Sequence, residues 1–228
     1  SHPGTNATVQ LSQMAQSLGA AAVMIAPSQE PVPSDERVFE YFRRVAQAVS
    51  IPIVAQDHPA STHVHMPLPL LLRLVDEIPQ IACVKEEAPP TPARIAALIG
   101  GMKKRRVPIL TGLGSLYGLF DLECGSSGFN TGFAFPEALI AMVKAAKEGR
   151  LDAARRIYSR FLPLIVFEQQ PSVAIRKEVL RLRGLIAANG LRHPGAGITP
   201  ETARQLKSVI DAVLPGVDIT RPIVIEST

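Results

Sequence analysis

Short apolar runs alternate with longer amphipathic stretches along the first two thirds of the chain. The runs at 20–27, 52–57, 81–87, 107–112 and 127–133 carry apolar residues on both faces, the pattern of strands in a buried parallel sheet. Between them the spacing predicts helices over 9–18, 34–49, 69–77, 92–99, 115–123 and 136–147. Thr5-Asn6-Ala7-Thr8 reads as a cap for the first helix, and Ser34-Asp35-Glu36-Arg37 opens the second, which places Val38, Phe42, Val45 and Val49 on one face. Residues 58–66 read as a loop. About five strands alternating with helices select an α/β class, with parallel strands joined by right-handed crossovers. After Gly149 the alternation stops, and 151–169, 173–185 and 199–213 all carry helical periodicity. The expected organisation is a unit of alternating strands and helices over 1–149 and a C-terminal helical extension over 150–228.

The run Ile81-Ala82-Cys83-Val84-Lys85-Glu86-Glu87 ends by presenting one lysine. In an unbroken strand Ile81, Cys83 and Lys85 share one side, while Ala82 and Val84 share the other. A buried amine is costly to charge, which favours the neutral, nucleophilic nitrogen that Schiff-base chemistry on a carbonyl requires. The plainer alternative is a strand-end lysine whose ammonium reaches water.

Composition narrows the class. The 228 residues fit one large domain, or a barrel a little shorter than the ~250 residues usual for a (β/α)₈ fold. Hydrophobic residues make up 46% and charged residues 19%, which argues against disorder. No apolar run reaches the ~18 residues of a membrane span and no signal peptide is visible, so a soluble protein without membrane partners is expected. The formal charge is +4, and its densest patch is Lys103-Lys104-Arg105-Arg106. Aromatics are only 5% and none interleave with that patch, so it reads as a solvated turn and no nucleic-acid partner is expected. Cys83 and Cys124 read as free thiols. No glycine-rich phosphate loop is visible, and no cofactor is expected.

These residues resemble the dihydrodipicolinate synthase and N-acetylneuraminate lyase family, pyruvate-type class I aldolases and synthases built on a (β/α)₈ barrel. Gly4-Thr5-Asn6 is similar to the segment after the family's third strand, and 52–59 to its fifth. Val84-Lys85-Glu86 matches the sixth, where the family's Schiff-base lysine sits. Thr111-Gly112-Leu113-Gly114 and Gly125-Ser126-Ser127-Gly128 resemble the end of the seventh strand and the start of the eighth. Gln170-Pro171 with Arg176-Lys177-Glu178-Val179-Leu180 is similar to the C-terminal helical region of one branch. In that register the first three strands are absent, together with the paired hydroxyl residues that bind the keto-acid carboxylate. The resemblance therefore implies a piece of a longer protein, or a sheet completed by another chain, and no turnover by these 228 residues alone. Where the family has a proton-relay tyrosine this chain has Gln56, and where the synthases have a carboxylate-binding arginine it has Ser61. The tyrosine pair after the fourth strand corresponds to about Ser28-Gln29. These departures imply a divergent branch that is neither authentic dihydrodipicolinate synthase nor sialic acid lyase. The family resemblance also implies a cytoplasmic homo-oligomer, with 1–149 a partial (β/α)₈ barrel that lacks its first three strands.

Three functional readings follow. In the first, the protein is a Schiff-base lyase, aldolase or dehydratase acting on a small 2-keto acid, pyruvate or one derived from a sugar acid. Lys85 attacks the keto carbon and Gln56 holds a water or substrate hydroxyl. Asp57 or His58 supplies the displaced acid-base function, with Ser61, Thr111, Gly112 and Asn130 among the substrate contacts at strand ends. In the second, Asp57, His58, His63 and His65 gather a metal for metal-assisted chemistry. In the third, the barrel has lost catalysis and serves as a ligand-binding or assembly module.

Overall fold

The computed structural model describes residues 2, 4–27 and 34–225; Ser28 and Gln29 lie outside them. The chain groups into two compact units, one of residues 1–112 and 124–130, the other of residues 113–123 and 131–228.

The first unit holds a five-stranded parallel sheet whose spatial order is the chain order. Its strands are β1 (Val23–Ile25), β2 (Ile53–Asp57), β3 (Ile81–Glu86), β4 (Ile109–Thr111) and β5 (Gly128–Phe129). Helices α1 (Thr5–Ser17), α2 (Asp35–Ala48), α3 (Pro59–Thr62), α4 (Leu68–Glu77) and α5 (Thr91–Gly101) accompany them. An in-order parallel sheet joined through helices is the arrangement of consecutive units in a (β/α) barrel, and here it is open, with β1 and β5 at its edges. The strands are shorter than the apolar runs that announce them, because each run also includes residues just before or after its strand.

Local chemistry sets the helix ends. The Ser34 hydroxyl accepts from the Arg37 N–H at 3.3 Å, and Asp35 and Glu36 occupy the first turn of α2, where carboxylates suit the positive helix end. The cap expected at 5–8 is not one. The first helix already begins at Thr5 behind Gly4, which makes no side-chain cap bond. Thr8 instead uses its hydroxyl to accept from the His2 N–H at 3.1 Å and from the Tyr41 hydroxyl at 3.1 Å, which ties α1 to α2. The predicted loop at 58–66 contains the single turn of α3, with Pro59 at its start.

One core fills the space between the sheet and its helices. Ile25, Ile53, Ala55, Ile81, Val84 and Ile109 from the strands meet Phe42 and Val45 of α2, Leu71 and Leu74 of α4, and Ile95 and Leu98 of α5. The position of Ile81 in this core departs from simple alternation, and the cause is a β-bulge. Ile53 pairs with Ile81, but Val54 pairs with Cys83, so Ala82 is an extra residue on β3. From Cys83 onward the faces are set anew: Val84 and Glu86 face the helices, and Cys83 and Lys85 take the other face. Lys85 therefore shares its side with Cys83 and not with Ile81.

Arg105 corrects the reading of the basic run. Lys103, Lys104 and Arg106 are exposed, yet the Arg105 guanidinium donates to the carbonyls of Val75 at 3.0 Å, Ile78 at 3.1 Å and Ile81. It satisfies the C-terminal carbonyls of α4 and the start of β3 at once.

The second unit contains a 3-10 turn (Leu113–Ser115) and helices α6 (Gly118–Glu123), α7 (Pro136–Lys147), α8 (Leu151–Phe167), α9 (Ser172–Leu182) and α10 (Pro200–Val213). Phe133, Phe135 and Phe161 pack their rings together in its interior. Glu168 accepts from the Ala134 N–H at 2.9 Å and pairs with Arg176 at 2.6 Å. Arg176 in turn donates to the Gly132 carbonyl at 3.0 Å. Among the described residues no helix is long and apolar enough to cross a membrane.

Replacing Arg105 with Met removes its guanidinium from three carbonyls, of which that of Ile78 keeps the Ile81 N–H at 3.0 Å. It is expected to lower stability by about 1–3 kcal/mol in denaturant titration, whereas Lys104→Met, on an exposed position, stays within about 0.5 kcal/mol of the parent. Equal effects of the two changes would contradict the role given to Arg105.

Candidate active site

The bulge decides which side chains meet at the C-terminal end of the sheet. Gln56 on β2 is the register partner of Lys85 on β3, and Lys85 pairs onward with Leu110 on β4. Glu87 lies two residues beyond Lys85 and returns to the same side. Its Oε2 lies 3.1 Å from Lys85 Nζ and accepts from Gln56 Nε2 at 2.6 Å. Lys85 and Glu87 are both buried, at 7% and 5% exposure. The result is a desolvated amine, a carboxylate and a carboxamide joined through one oxygen.

Gly112, at the end of β4, makes room for that carboxylate. A Cβ added there would sit 2.0 Å from Glu87 Oε1 and 2.2 Å from its carboxyl carbon. The backbone helps as well, since the Glu87 N–H donates to the Asp57 carbonyl at 2.8 Å and continues the β2–β3 pairing past the last strand residue. Cys83, the other side chain of β3 on this face, has its thiol pushed up to about 11 by burial and stays a neutral wall.

The opposite face of the same strand ends carries a second charged group. Asp57 and Glu86 are register partners with 0% exposure. Arg94, in the first turn of α5, reaches Asp57 Oδ2 at 2.6 Å, Glu86 Oε1 at 3.2 Å and the Met66 carbonyl at 2.9 Å. Burial raises the Asp57 carboxyl despite the nearby Arg94 charge. Burial, and after it the Asp57 charge, push Glu86 up to about 7.

Of the residues singled out from sequence, Lys85 and Gln56 are brought together, and Gly112 borders them through Glu87. The others fall elsewhere. Asp57 faces the helices, bound to Arg94, because it alternates with Gln56 on a strand that has not yet ended. Thr111 pairs with Glu86 and so shares the helix-facing side, where its hydroxyl donates to Ser126 Oγ at 2.9 Å. His58 and Ser61 bond one another at 2.5 Å across α3, and Ser61 is exposed. Asn130 is exposed, and its N–H donates to the Thr111 carbonyl at 2.9 Å. His63 and His65 are exposed, and Asp57 is turned away from them into the core. Among the described residues no three His, Cys, Asp or Glu side chains are grouped so as to hold a metal ion, so the proposed metal loop is not assembled. Sequence reasoning missed Glu87 and Arg94. The first was legible as the residue two beyond Lys85 on the same strand face; nothing local marked the second.

A parallel, in-order β/α sheet that carries a buried lysine at the C-terminal end of a central strand has the architecture of a (β/α)-barrel protein, with its polar cluster where such barrels place their sites. The comparisons make this specific. The model of the dihydrodipicolinate synthetase family matches residues 2–213, and the chain belongs to that family. It is 35% identical over 224 residues to an L-2-keto-3-deoxyarabonate dehydratase of Azospirillum brasilense, covering 92% of this chain and 69% of that protein. It is 33% identical over 218 residues to a 4-hydroxy-tetrahydrodipicolinate synthase of Chlorobium limicola, covering 92% and 72%. Among solved structures, a dihydrodipicolinate synthase from Rhodopseudomonas palustris superposes with a TM-score of 0.86 at 32% identity, over 92% of this chain and 72% of that one. The sheet is thus a part of a (β/α)₈-type barrel, as the resemblance implied.

Two outcomes test the geometry. Gly112→Ala is expected to cost about 1–3 kcal/mol by overpacking against Glu87, and Glu87→Ala added to it should recover most of that loss. A fully additive double variant would contradict the contact. Glu86 titrates near 7 when folded and at its ordinary 4.5 when unfolded, so between these values the native state retains a proton that the unfolded chain has released. Stability is accordingly expected to fall as pH rises from about 4.5 to 7 and then to level, with the Glu86 part of this slope absent from Glu86→Gln.

Proposed function

We propose that the protein is a Schiff-base-forming dehydratase or aldolase-type lyase acting on a 2-keto acid, with Lys85 as the covalent residue. The observation that carries this reading is the buried Lys85–Glu87–Gln56 group. A nucleophilic amine needs a neighbour to receive its proton, and Glu87 Oε2 stands 3.1 Å from Nζ.

In this reading the amine adds to the keto carbon, water leaves, and an iminium forms between Nζ and that carbon. The iminium acidifies the adjacent C–H, and Glu87 is the base within reach of it. For a substrate with a hydroxyl one carbon further on, the protonated Glu87 then gives its proton to that hydroxyl as it departs as water. Hydrolysis of the remaining unsaturated iminium frees Lys85 and the product. Gln56 cannot exchange protons near neutrality, so its part is to orient Glu87 through the 2.6 Å bond.

Dehydration is favoured over the synthase reaction for two reasons. Gln56 stands where the resemblance expects the relay tyrosine, and the carboxylate arginine corresponds to Ser61, exposed and engaged with His58. The similarity to a dehydratase of a 3-deoxy-2-keto sugar acid supports the same choice. The missing relay also supports a second reading, a binding module without turnover; the retained lysine with a carboxylate partner speaks against it. We place the protein in the cytoplasm, without metal or organic cofactor, as a homo-oligomer like many members of such families.

The test is borohydride reduction of the protein, in its longest natural form, with pyruvate and a set of 3-deoxy-2-keto acids, read by peptide mass spectrometry. A reduced adduct on Lys85 is expected, absent from Lys85→Arg. Glu87→Gln should still form the adduct but lose about 10²–10⁴-fold in turnover. A folded protein that gives no adduct with any 2-keto acid would sink the proposal.

A further inference from the structure

The group on the helix-facing side of the strand ends has a charge balance that the reaction above does not use. Asp57 and Glu86 are two fully buried carboxylates, adjacent in register, and they share one guanidinium. Among the described residues, Asp57 Oδ1 and Glu86 Oε2 are buried and meet no hydrogen-bond partner. Two anions against one cation leave a net negative charge in a poorly solvated place, which is expensive until one proton is added. Among the described residues no second cation is in contact with the pair. His65, on the exposed segment before α4, acts on Asp57 only through its charge. Thr111, beside Glu86 on β4, is neutral and donates elsewhere. Lys85 and Glu87 point to the other face.

We propose that Asp57, Glu86 and Arg94 form a positioning clamp in which the two carboxylates hold a single proton, and that the closed clamp keeps Lys85, Gln56 and Glu87 aligned on the opposite face. The proposal rests on the reading of Lys85 as the covalent residue. The mechanical link is short. Each clamp carboxylate alternates with a site residue, Asp57 with Gln56 and Glu86 with both Lys85 and Glu87. The backbone N–H groups that lock this stretch belong to Glu87, which donates to the Asp57 carbonyl at 2.8 Å, and to Ala88, which donates to Glu86 Oε1 at 2.8 Å. Arg94 adds the Met66 carbonyl, so one side chain ties together the end of β2, the end of β3 and the segment leading into α4. Loss of the proton sets two anions side by side across the β2–β3 seam, and their repulsion acts on the backbone that carries Glu87. A Glu86 carboxyl held near 7 agrees with a proton retained in neutral solution.

Two measurements decide it. Isotope-edited infrared spectra of the full chain at pH 6 should show a protonated buried carboxyl that is missing in Glu86→Gln. Its absence from the folded parent would overturn the shared proton. Borohydride trapping with pyruvate should slow about threefold to tenfold in the parent as pH rises from 6 to 8, and Glu86→Gln, a fixed hydrogen-bond donor, should flatten that fall. Arg94→Leu should trap at least about tenfold more slowly than the parent at pH 7, with Arg94→Lys restoring part of the rate. Should Arg94→Leu not fold, Glu86→Gln carries the test alone. A parent that forms no adduct overturns the Schiff-base reading and the positioning role with it. A parent that forms the adduct beside a Glu86→Gln profile parallel to it overturns the clamp alone.

Discussion

The register between β2 and β3 is the constraint from which the rest of the site follows. Once Ala82 is extruded as a bulge, Gln56 must lie beside Lys85 and Asp57 beside Glu86, because pairing and alternation leave no other choice. Four polar side chains that are contiguous in two short segments are thereby sorted to two faces. One face receives the amine, the carboxamide and, two residues on, the Glu87 carboxylate. The other receives a carboxylate pair that needs Arg94 from α5. A single shift of pairing would exchange the two sets, burying Lys85 among the core leucines of α4 and turning Glu86 toward the site. The apolar partners of the bulge, Ile53 with Ile81 and Ala55 with Val84, hold the register through the core they share with α4 and α5.

Much of the fold was legible because its signals are local. The apolar runs marked all five strands, and Ser34 with its acidic first turn marked α2. The strand ends were less legible: an apolar run includes residues on either side of its strand, so 20–27 became Val23–Ile25 and 127–133 became Gly128–Phe129. The cap at 5–8 failed because the Thr8 hydroxyl is claimed by Tyr41, a partner 33 residues away. Arg105 was misread for a related reason. Three of the four cations in its run behave as a solvated turn, and only the tertiary fold reveals that the fourth finds carbonyls of α4 and β3.

Of the residues read from sequence, Lys85 and Gln56 meet in the structure with Gly112 at their border, and the others fall elsewhere. Strand alternation and the resemblance both pointed to Lys85, and the structure gives it a buried partner. Thr111 was chosen for lying at a strand end and Asp57 as an acid-base group beside Gln56; both stand at the right height in a barrel but on the other face, since each is one residue out of phase with Lys85. Ser61 was chosen by correspondence with the family and His58 as an acid-base candidate, and their mutual bond in the turn of α3 follows from Pro59, which opens a helical turn immediately after His58. Glu87 was overlooked because a pair of glutamates at the end of an apolar run reads as solvent-facing. Here one of them is drawn inward by the amine and the other by Arg94.

A crystal structure of the protein reduced with borohydride in the presence of pyruvate tests the central claim most directly. The account predicts continuous density from Lys85 Nζ to the former keto carbon, with the Glu87 carboxylate facing the adjacent carbon and Gln56 still bonded to it. An unmodified Lys85 with the ligand bound elsewhere, or an adduct from which Glu87 has turned away, would contradict it.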